Sequence, residues 1–279
     1  MTEELAPRDA YQRECRAVVA GVLPGGVLLD RTVFYPRGGG QPGDTGLLEW
    51  AGGTAVGAAR IGRAERAPSA GPPPEGAASS GGTETEWAKP ATHPLRSVVS
   101  DTVREQGEVV HVVAAGEAPP VGAAVRAVLD WERRNLLMRT HTALHVLSAL
   151  VWGQYGAKVT GGNMEPGQAR MDFELEAMSV SFGREVEERL NAMLSESHPV
   201  RVLFLPRAEA LADPDLIRTK VSLIPEHVDP IRVVDIAGLD RQADGGTHVA
   251  DTLEVGRVRV TGTESKGKGN KRMRIALDP

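Results

Sequence analysis

Short apolar runs punctuated by glycine and proline occupy the first part of the chain. CRAVVAGVL, GVLLD, TVFYP and TGLLEW all fall within residues 12–60. Runs of this length, with turn residues between them, predict a small β-barrel or a twisted antiparallel sheet. Residues 62–92 break the pattern: they are rich in Pro, Gly, Ala and Ser and lack apolar periodicity. They read as a flexible excursion between two strands. The strand pattern resumes in GEVVHVVA and AAVRAVLD, and then the period changes. In WERRNLLMRTHTALHVLSALVWG, Leu137, Leu144, Leu147 and Val151 recur at helical spacing. A helix is expected from about Trp131 to Gly153, with Gly153 as its stop.

Downstream, ARMDFELEA reads as a strand. SFGREVEERLNAMLSES reads as an amphipathic helix whose acidic residues near the start suit the helix dipole. PVRVLFLP is a further strand, RAEALADPDLIRTK a short helical stretch, and IRVVDIAG and TLEVGRVRVTGTESKGKGNKRMRIAL alternate again. The fold class is therefore α+β. The change of pattern divides the chain into 1–130, with the 62–92 insertion, and 131–279, where helices are laid on an antiparallel sheet. No internal repeat is present.

Composition narrows the picture without directing it. The 279 residues suffice for one large or two modest domains, and the net charge of −5 gives no global basic field for nucleic acid. Charges sorted locally would still permit RNA binding. The single cysteine, Cys15, rules out an intramolecular disulfide. No apolar run reaches membrane-spanning length, and the polar N-terminus lacks the apolar core of a secretory signal. A cytoplasmic protein without membrane association, monomeric by default, is the expectation.

The candidate chemistry lies in three stretches. In HTALH, His141 and His145 stand one helical turn apart, the spacing at which two imidazoles share a tetrahedral metal. Such a pair alone is more often surface or core decoration. Thr142 stands where a zincin protease has its glutamate, which argues against that class. In RQADGGTHVADT, His248 follows a Gly-Gly turn that permits close approach to a ligand. Three histidines able to converge suit a zinc site with an open position. RTVFYPRGGGQPGDTG is a Gly-rich hairpin without the P-loop's Lys-Ser/Thr ending, and its exposed amides are candidates to bind a substrate.

Together these motifs resemble the AlaX-type alanyl-tRNA editing proteins, freestanding relatives of the alanyl-tRNA synthetase editing domain. The resemblance rests on Phe34-Tyr35-Pro36, Gly38-Gly39-Gly40-Gln41, Asp44-Thr45-Gly46, His141-x-x-x-His145, Gly245-Gly246-Thr247-His248 and the tail ESKGKGNKRMRI. These occur in the family's order and span nearly the whole chain apart from 62–92, and the resemblance implies a Gly-rich, β-barrel-like N-terminal domain joined to an α+β editing domain. The resemblance implies hydrolysis of the ester joining serine, and perhaps glycine, to tRNA(Ala), at a Zn2+ held by His141, His145 and His248. The family's fourth ligand is a cysteine, and Asp244 stands in its place. A His₃Asp site is chemically sound but harder, so another divalent ion becomes an option. Asp244 acting as a base, or a site that has lost its metal, are the alternatives.

Substrate contact falls on Thr32, Gly39, Gly40 and Gln41, with Thr32 at a family position tied to reading the seryl hydroxyl. RNA contact falls on Lys266, Lys268, Lys271, Arg272 and Arg274, supplemented by Arg133, Arg134 and Arg139 on the helix. Arg170 is expected to support the site or its strand. The rival readings are a different metal-dependent esterase or amidohydrolase and a catalytically inactive RNA-binding relative.

Overall fold

The computed structural model describes residues 1–51, 94–216 and 224–278, so the expected 62–92 excursion lies outside the described residues. The N-terminal strands form one seven-stranded antiparallel sheet. Its spatial order is Leu95–Val99, Gly46–Trp50, Ala124–Leu129, Glu14–Leu23, Gly26–Leu29, Glu108–Val112, Asp101–Glu105. Among the described residues the first and last strands do not pair with each other, so the twisted sheet forms and the barrel does not close. The long strand Glu14–Leu23 accounts for the curl. It pairs with Ala124–Leu129 along its first half and with Gly26–Leu29 along its second, with a bulge between Val19 and Gly21. Alternate residues Cys15, Ala17 and Val19 point inward with Val27, Leu29, Leu48 and Ala127 to form one core.

TVFYP departs from the strand expectation. Only Arg31–Thr32 is a strand, and the buried residues that follow are held by side chains. The Thr32 hydroxyl accepts the Phe34 amide at 3.1 Å, and the Asp44 carboxylate accepts the Tyr35 amide at 2.6 Å. These bonds replace a missing ladder, because buried amides need partners.

Helix α1 runs Trp131–Tyr155. The Asp130 side chain caps its start, and Gly156, not Gly153, ends it in the left-handed region at φ 60°. Every residue from Thr140 to Val151 is buried, so α1 is a central helix enclosed on all sides, which blurs its apolar stripe. Helix α2, Val180–Leu194, is capped by Ser179, and its glutamates fall beyond the first turn. Glu187 accepts the amide of Val260 at 2.7 Å, so it fastens the helix to the sheet and does not answer the helix dipole as expected. Both helices pack in one large apolar core against a four-stranded antiparallel sheet ordered Val159–Glu165, Gln168–Phe173, Lys271–Leu277, Val258–Ser265. A three-stranded sheet, Val200–Leu205, Ile231–Ile236 and Asp240–Ala243, delivers the chain to the Gly-Gly-Thr-His turn. Among the described residues no helix is long and apolar enough to cross a membrane.

The two halves are tied by an ion pair. Arg134 is fully buried and binds Asp44, with Nε 3.0 Å from both carboxylate oxygens, and donates to the carbonyls of Ala10 (2.9 Å) and Val33 (2.8 Å). Arg133 reaches the Gly43 carbonyl at 2.7 Å and Arg139 that of Val255 at 3.0 Å. The expectation that these arginines meet phosphate is corrected for Arg134: a buried guanidinium must satisfy its N–H groups within the protein.

Candidate metal centre

His141 and His145 project from the same face of α1 toward the turn carrying Asp244 and His248. The four side chains each offer a ligand atom, all within 4.8 Å of one another. Asp244 lies between the imidazoles: its Oδ1 is 3.6 Å from His141 Nε2 and 4.0 Å from His145 Nε2, and its Oδ2 is 3.1 Å from His248 Nε2. The Gly246 amide anchors Oδ2 at 2.6 Å.

The opposite ring nitrogens explain why the three Nε2 atoms turn inward. His141 Nδ1 faces Gln41 Oε1 at 3.1 Å, His145 Nδ1 faces Asp240 Oδ2 at 2.9 Å, and His248 Nδ1 faces Thr142 Oγ1 at 3.1 Å. Each imidazole thus has a partner for its outer nitrogen. In metal sites such partners fix ring orientation and tautomer. By donor chemistry, three nitrogens and one carboxylate oxygen facing one point fit a divalent ion.

Electrostatics agree. Burial pushes His141 down to about 4, with His145 and Arg232 adding in the same direction against Asp244. Burial, aided by the neighbouring His141, also depresses His248 well below the usual range. His145 moves the other way: burial opposes its charge, but the hydrogen bond and charge of Asp240 hold it up. Burial works against the Asp244 carboxylate too, yet the imidazoles around it keep it well below its ordinary value. An ionised Asp244 and neutral His141 and His248 are in the states a metal requires of its ligands, and His145 would give up its proton to join them.

The cluster sits in a cleft of about 800 Å³ lined from both halves, by Tyr35, Gly39 and Gly40 on one side and Gly161, Gly162 and Arg232 on the other. Gln41 is buried and bridges the halves. Its carbonyl accepts the Thr247 amide at 3.0 Å, and its amide donates to Thr247 Oγ1 at 2.9 Å. Gly246 approaches His141 so closely that an added Cβ would overlap the ring.

Of the sequence candidates, the structure brings together His141, His145, Asp244 and His248, with Gln41 behind them and Gly39 and Gly40 on the cleft wall. It does not bring Thr32 there. That hydroxyl is fully buried in the N-terminal sheet, 2.7 Å from His111 Nε2, and is absent from the cleft lining. In the basic tail, Lys266, Lys268 and Arg274 are exposed. Lys271 is buried with Nζ on the Gly267 carbonyl at 2.8 Å, and Arg272 clamps Asp172 with two bonds of 2.7 and 2.8 Å. Strand alternation turns Lys271 inward with Met273 and Ile275. Arg170 lies 3.4 Å from Asp172 on its own strand.

Three supporting residues escaped the sequence reading. Asp240 has a signal in hindsight, standing four residues before Asp244. Thr142 follows the first ligand directly. Arg232, whose Nη1 donates to the Asp244 carbonyl at 2.8 Å and lies 3.7 Å from Oδ2, has none.

The family described as threonyl and alanyl tRNA synthetase second additional domain matches residues 231–274. The chain is 32% identical over 279 residues to an alanyl-tRNA editing protein AlaX-M of Saccharolobus solfataricus, covering 100% of both. It is 32% identical to that of Methanosarcina mazei, covering 99% of this chain and 97% of the other. An alanine–tRNA ligase of Pyrobaculum aerophilum is 31% identical over 96% of this chain and 26% of its own.

Proposed function

The chain belongs to the AlaX-M alanyl-tRNA editing family, and from that premise we propose that it is an aminoacyl-tRNA deacylase, hydrolysing the ester of serine, and of glycine as a second substrate, on tRNA(Ala). The observation that carries this reading is the convergence of His141, His145, Asp244 and His248 at a cleft lined from both halves of the chain. We assign residues 1–130 to presenting the Gly-rich loop and residues 131–279 to carrying the ligand set.

His141, His145, His248 and Asp244 would hold the divalent ion, Zn2+ in our reading. Bound there, it supplies Lewis acidity at the ester or a hold on the substrate's amino group. The chain's own residues position the rest. Asp240, Gln41 and Thr142 keep the ligand rings aimed. Gly39 and Gly40, exposed on the cleft wall, let substrate approach the backbone. Arg232 balances the charge of Asp244. An aminoacyl ester is already activated, so positioning a water against it and stabilising the oxyanion suffice. RNA contact is assigned to the exposed cations of the tail, Lys266, Lys268 and Arg274, with Lys271 and Arg272 shaping the hairpin that presents them.

The test is deacylation of Ser-tRNA(Ala) and Ala-tRNA(Ala), with metal content measured on the same preparation. Metal-bearing protein that clears Ser-tRNA(Ala) and spares Ala-tRNA(Ala) is the expected result. Protein without metal that leaves Ser-tRNA(Ala) intact ends the proposal. Asp244→Cys should keep or raise zinc binding, and loss of metal in that variant would remove Asp244 from the ligand set.

A further inference from the structure

Some glycines around the cleft have a conformational reason and others have none. Gly40 sits at φ +84°, its carbonyl accepting the Met164 amide at 3.2 Å. Gly161 and Gly162 differ. Both lie inside the strand Val159–Glu165 without a positive φ. An added Cβ would meet only Asp172 Oδ2 at 3.6 Å or the Arg170 carbonyl at 3.7 Å, ordinary contacts. Gly161 lies at the bulge after Val159, where glycine is common, but Gly162 stands in regular pairing with Met171, where the fold alone would favour a side chain. Both line the cleft.

Their place in the sheet says what the missing side chains leave room for. Among the described residues Val159–Glu165 is an edge strand, paired with the strand Gln168–Phe173 alone and touched on its other side by Gly40. Alternation puts Gly162 on the face of Met164 and Met171, toward the cleft, and Gly161 with Asn163 on the opposite, outer face. The two glycines thus form a low point in the wall between the outer face and the cleft. On that outer face Asn163, Arg170 and Arg274 are direct cross-strand neighbours, a row about 10 Å long. Arg274 is half exposed and Arg170 a third exposed, each near a single carboxylate. Lys266 and Lys268 extend the row at the adjoining turn. Five cations, counting Arg272, stand against Asp172, Glu264 and Glu165, so a face of this acidic protein is positive.

We infer that Gly161 and Gly162 form a saddle over which the single-stranded 3′ end of an RNA crosses from the outer face of the sheet into the cleft. Arg170 and Arg274 take its phosphates, and Asn163 stands beside the saddle to hydrogen-bond the terminal sugar. This rests on the deacylase reading and assigns it a route for substrate entry. It also gives Arg170 a part beyond support of its strand.

The experiment uses the full chain. Gly162→Val, compatible with the strand, should leave the thermal midpoint unchanged or raised and metal content unchanged, while lowering kcat/KM on Ser-tRNA(Ala) at least ~10-fold, since the side chain fills the saddle. Arg170→Ala with Arg274→Ala should raise KM and make its salt dependence shallower by about 1.4 log units per log unit of salt, the share of two single-strand phosphate contacts. Wild-type kinetics in Gly162→Val, or an unchanged salt slope in the double variant, would overturn the saddle. The same variants are titrated with a CCA-ended RNA hairpin by fluorescence anisotropy. Wild-type protein that binds the hairpin, loses that affinity in these variants and never hydrolyses the ester would refute the deacylase and keep the saddle. Wild-type protein that binds no hairpin would refute the saddle itself.

Discussion

Lowering the pH should destabilise the N-terminal sheet through His111, whose ring is buried with a complete set of partners. Its Nδ1 is 3.0 Å from the Val27 carbonyl, which can only accept, so Nδ1 carries the proton. Its Nε2 must then accept from the Thr32 hydroxyl at 2.7 Å, and that oxygen in turn accepts the Phe34 amide. The neutral ring fits this chain and a doubly protonated ring does not. Burial accordingly pushes His111 from its ordinary 6.5 down to about 4, against the Val27 hydrogen bond that favours its charge. A folded value below the unfolded one means the unfolded chain binds more protons across that window. The contribution is therefore complete above about 6.5 and is lost as pH falls toward about 4. Some 2.5 units at 1.36 kcal/mol each amount to about 3 kcal/mol, a large part of the ~5–15 kcal/mol that holds a domain together. Urea unfolding at pH 7, 5.5 and 4.5 measures the loss, and the same series on His111→Gln subtracts every other titrating group. The advantage of the wild type over the variant should shrink by about 2.4 kcal/mol between pH 7 and pH 4.5. Parallel curves would refute the argument.

The remaining predictions concern the site and its junction. Asp240→Asn removes the carboxylate that orients His145, and divalent-ion affinity, read by competition with a chelator, should fall about 10–100-fold; unchanged affinity would deny Asp240 that part. Gly246→Ala places a methyl group in the His141 ring, so metal content should drop sharply while far-ultraviolet circular dichroism stays the same. Arg134→Met leaves Asp44 buried and unpaired, and denaturant unfolding should show a loss of about 3–5 kcal/mol. Thr32→Val orphans two buried groups and should cost about 1–3 kcal/mol of stability. Its Ser-to-Ala discrimination, measured alongside, shows whether that hydroxyl also touches substrate.

Local periodicity made the longest elements legible. Leu137, Leu144, Leu147 and Val151 marked α1, although its stop moved from Gly153 to Gly156, where the left-handed backbone closes the helix with a bond from the Gly156 amide to the Trp152 carbonyl. The strand runs that alternate cleanly were equally plain. Leu95–Val99, Asp101–Glu105, Val159–Glu165 and Asp240–Ala243 were not anticipated, since each is short, polar or glycine-bearing and owes its state to a neighbouring strand. At the site, the His pair and the Gly-Gly-Thr-His turn were visible as motifs. What aims them was not: Asp240, Thr142 and Gln41 act across 95, 106 and 100 positions of chain. Thr32 shows the converse. A motif position gave it a substrate, whereas packing gave its hydroxyl to His111.

The four side chains at the centre contain no sulfur. A thiolate in the place of Asp244 would be the most oxidisable atom of such a site, able to pass to sulfenic and then irreversible acids. A carboxylate has no such chemistry. The only thiol of the chain, Cys15, lies in the N-terminal core, where burial raises its pKa and holds back the reactive thiolate. Peroxide therefore finds no thiolate to attack among these four side chains. The deacylase proposed for this centre would thus keep its four side chains under peroxide that oxidises the Asp244→Cys variant.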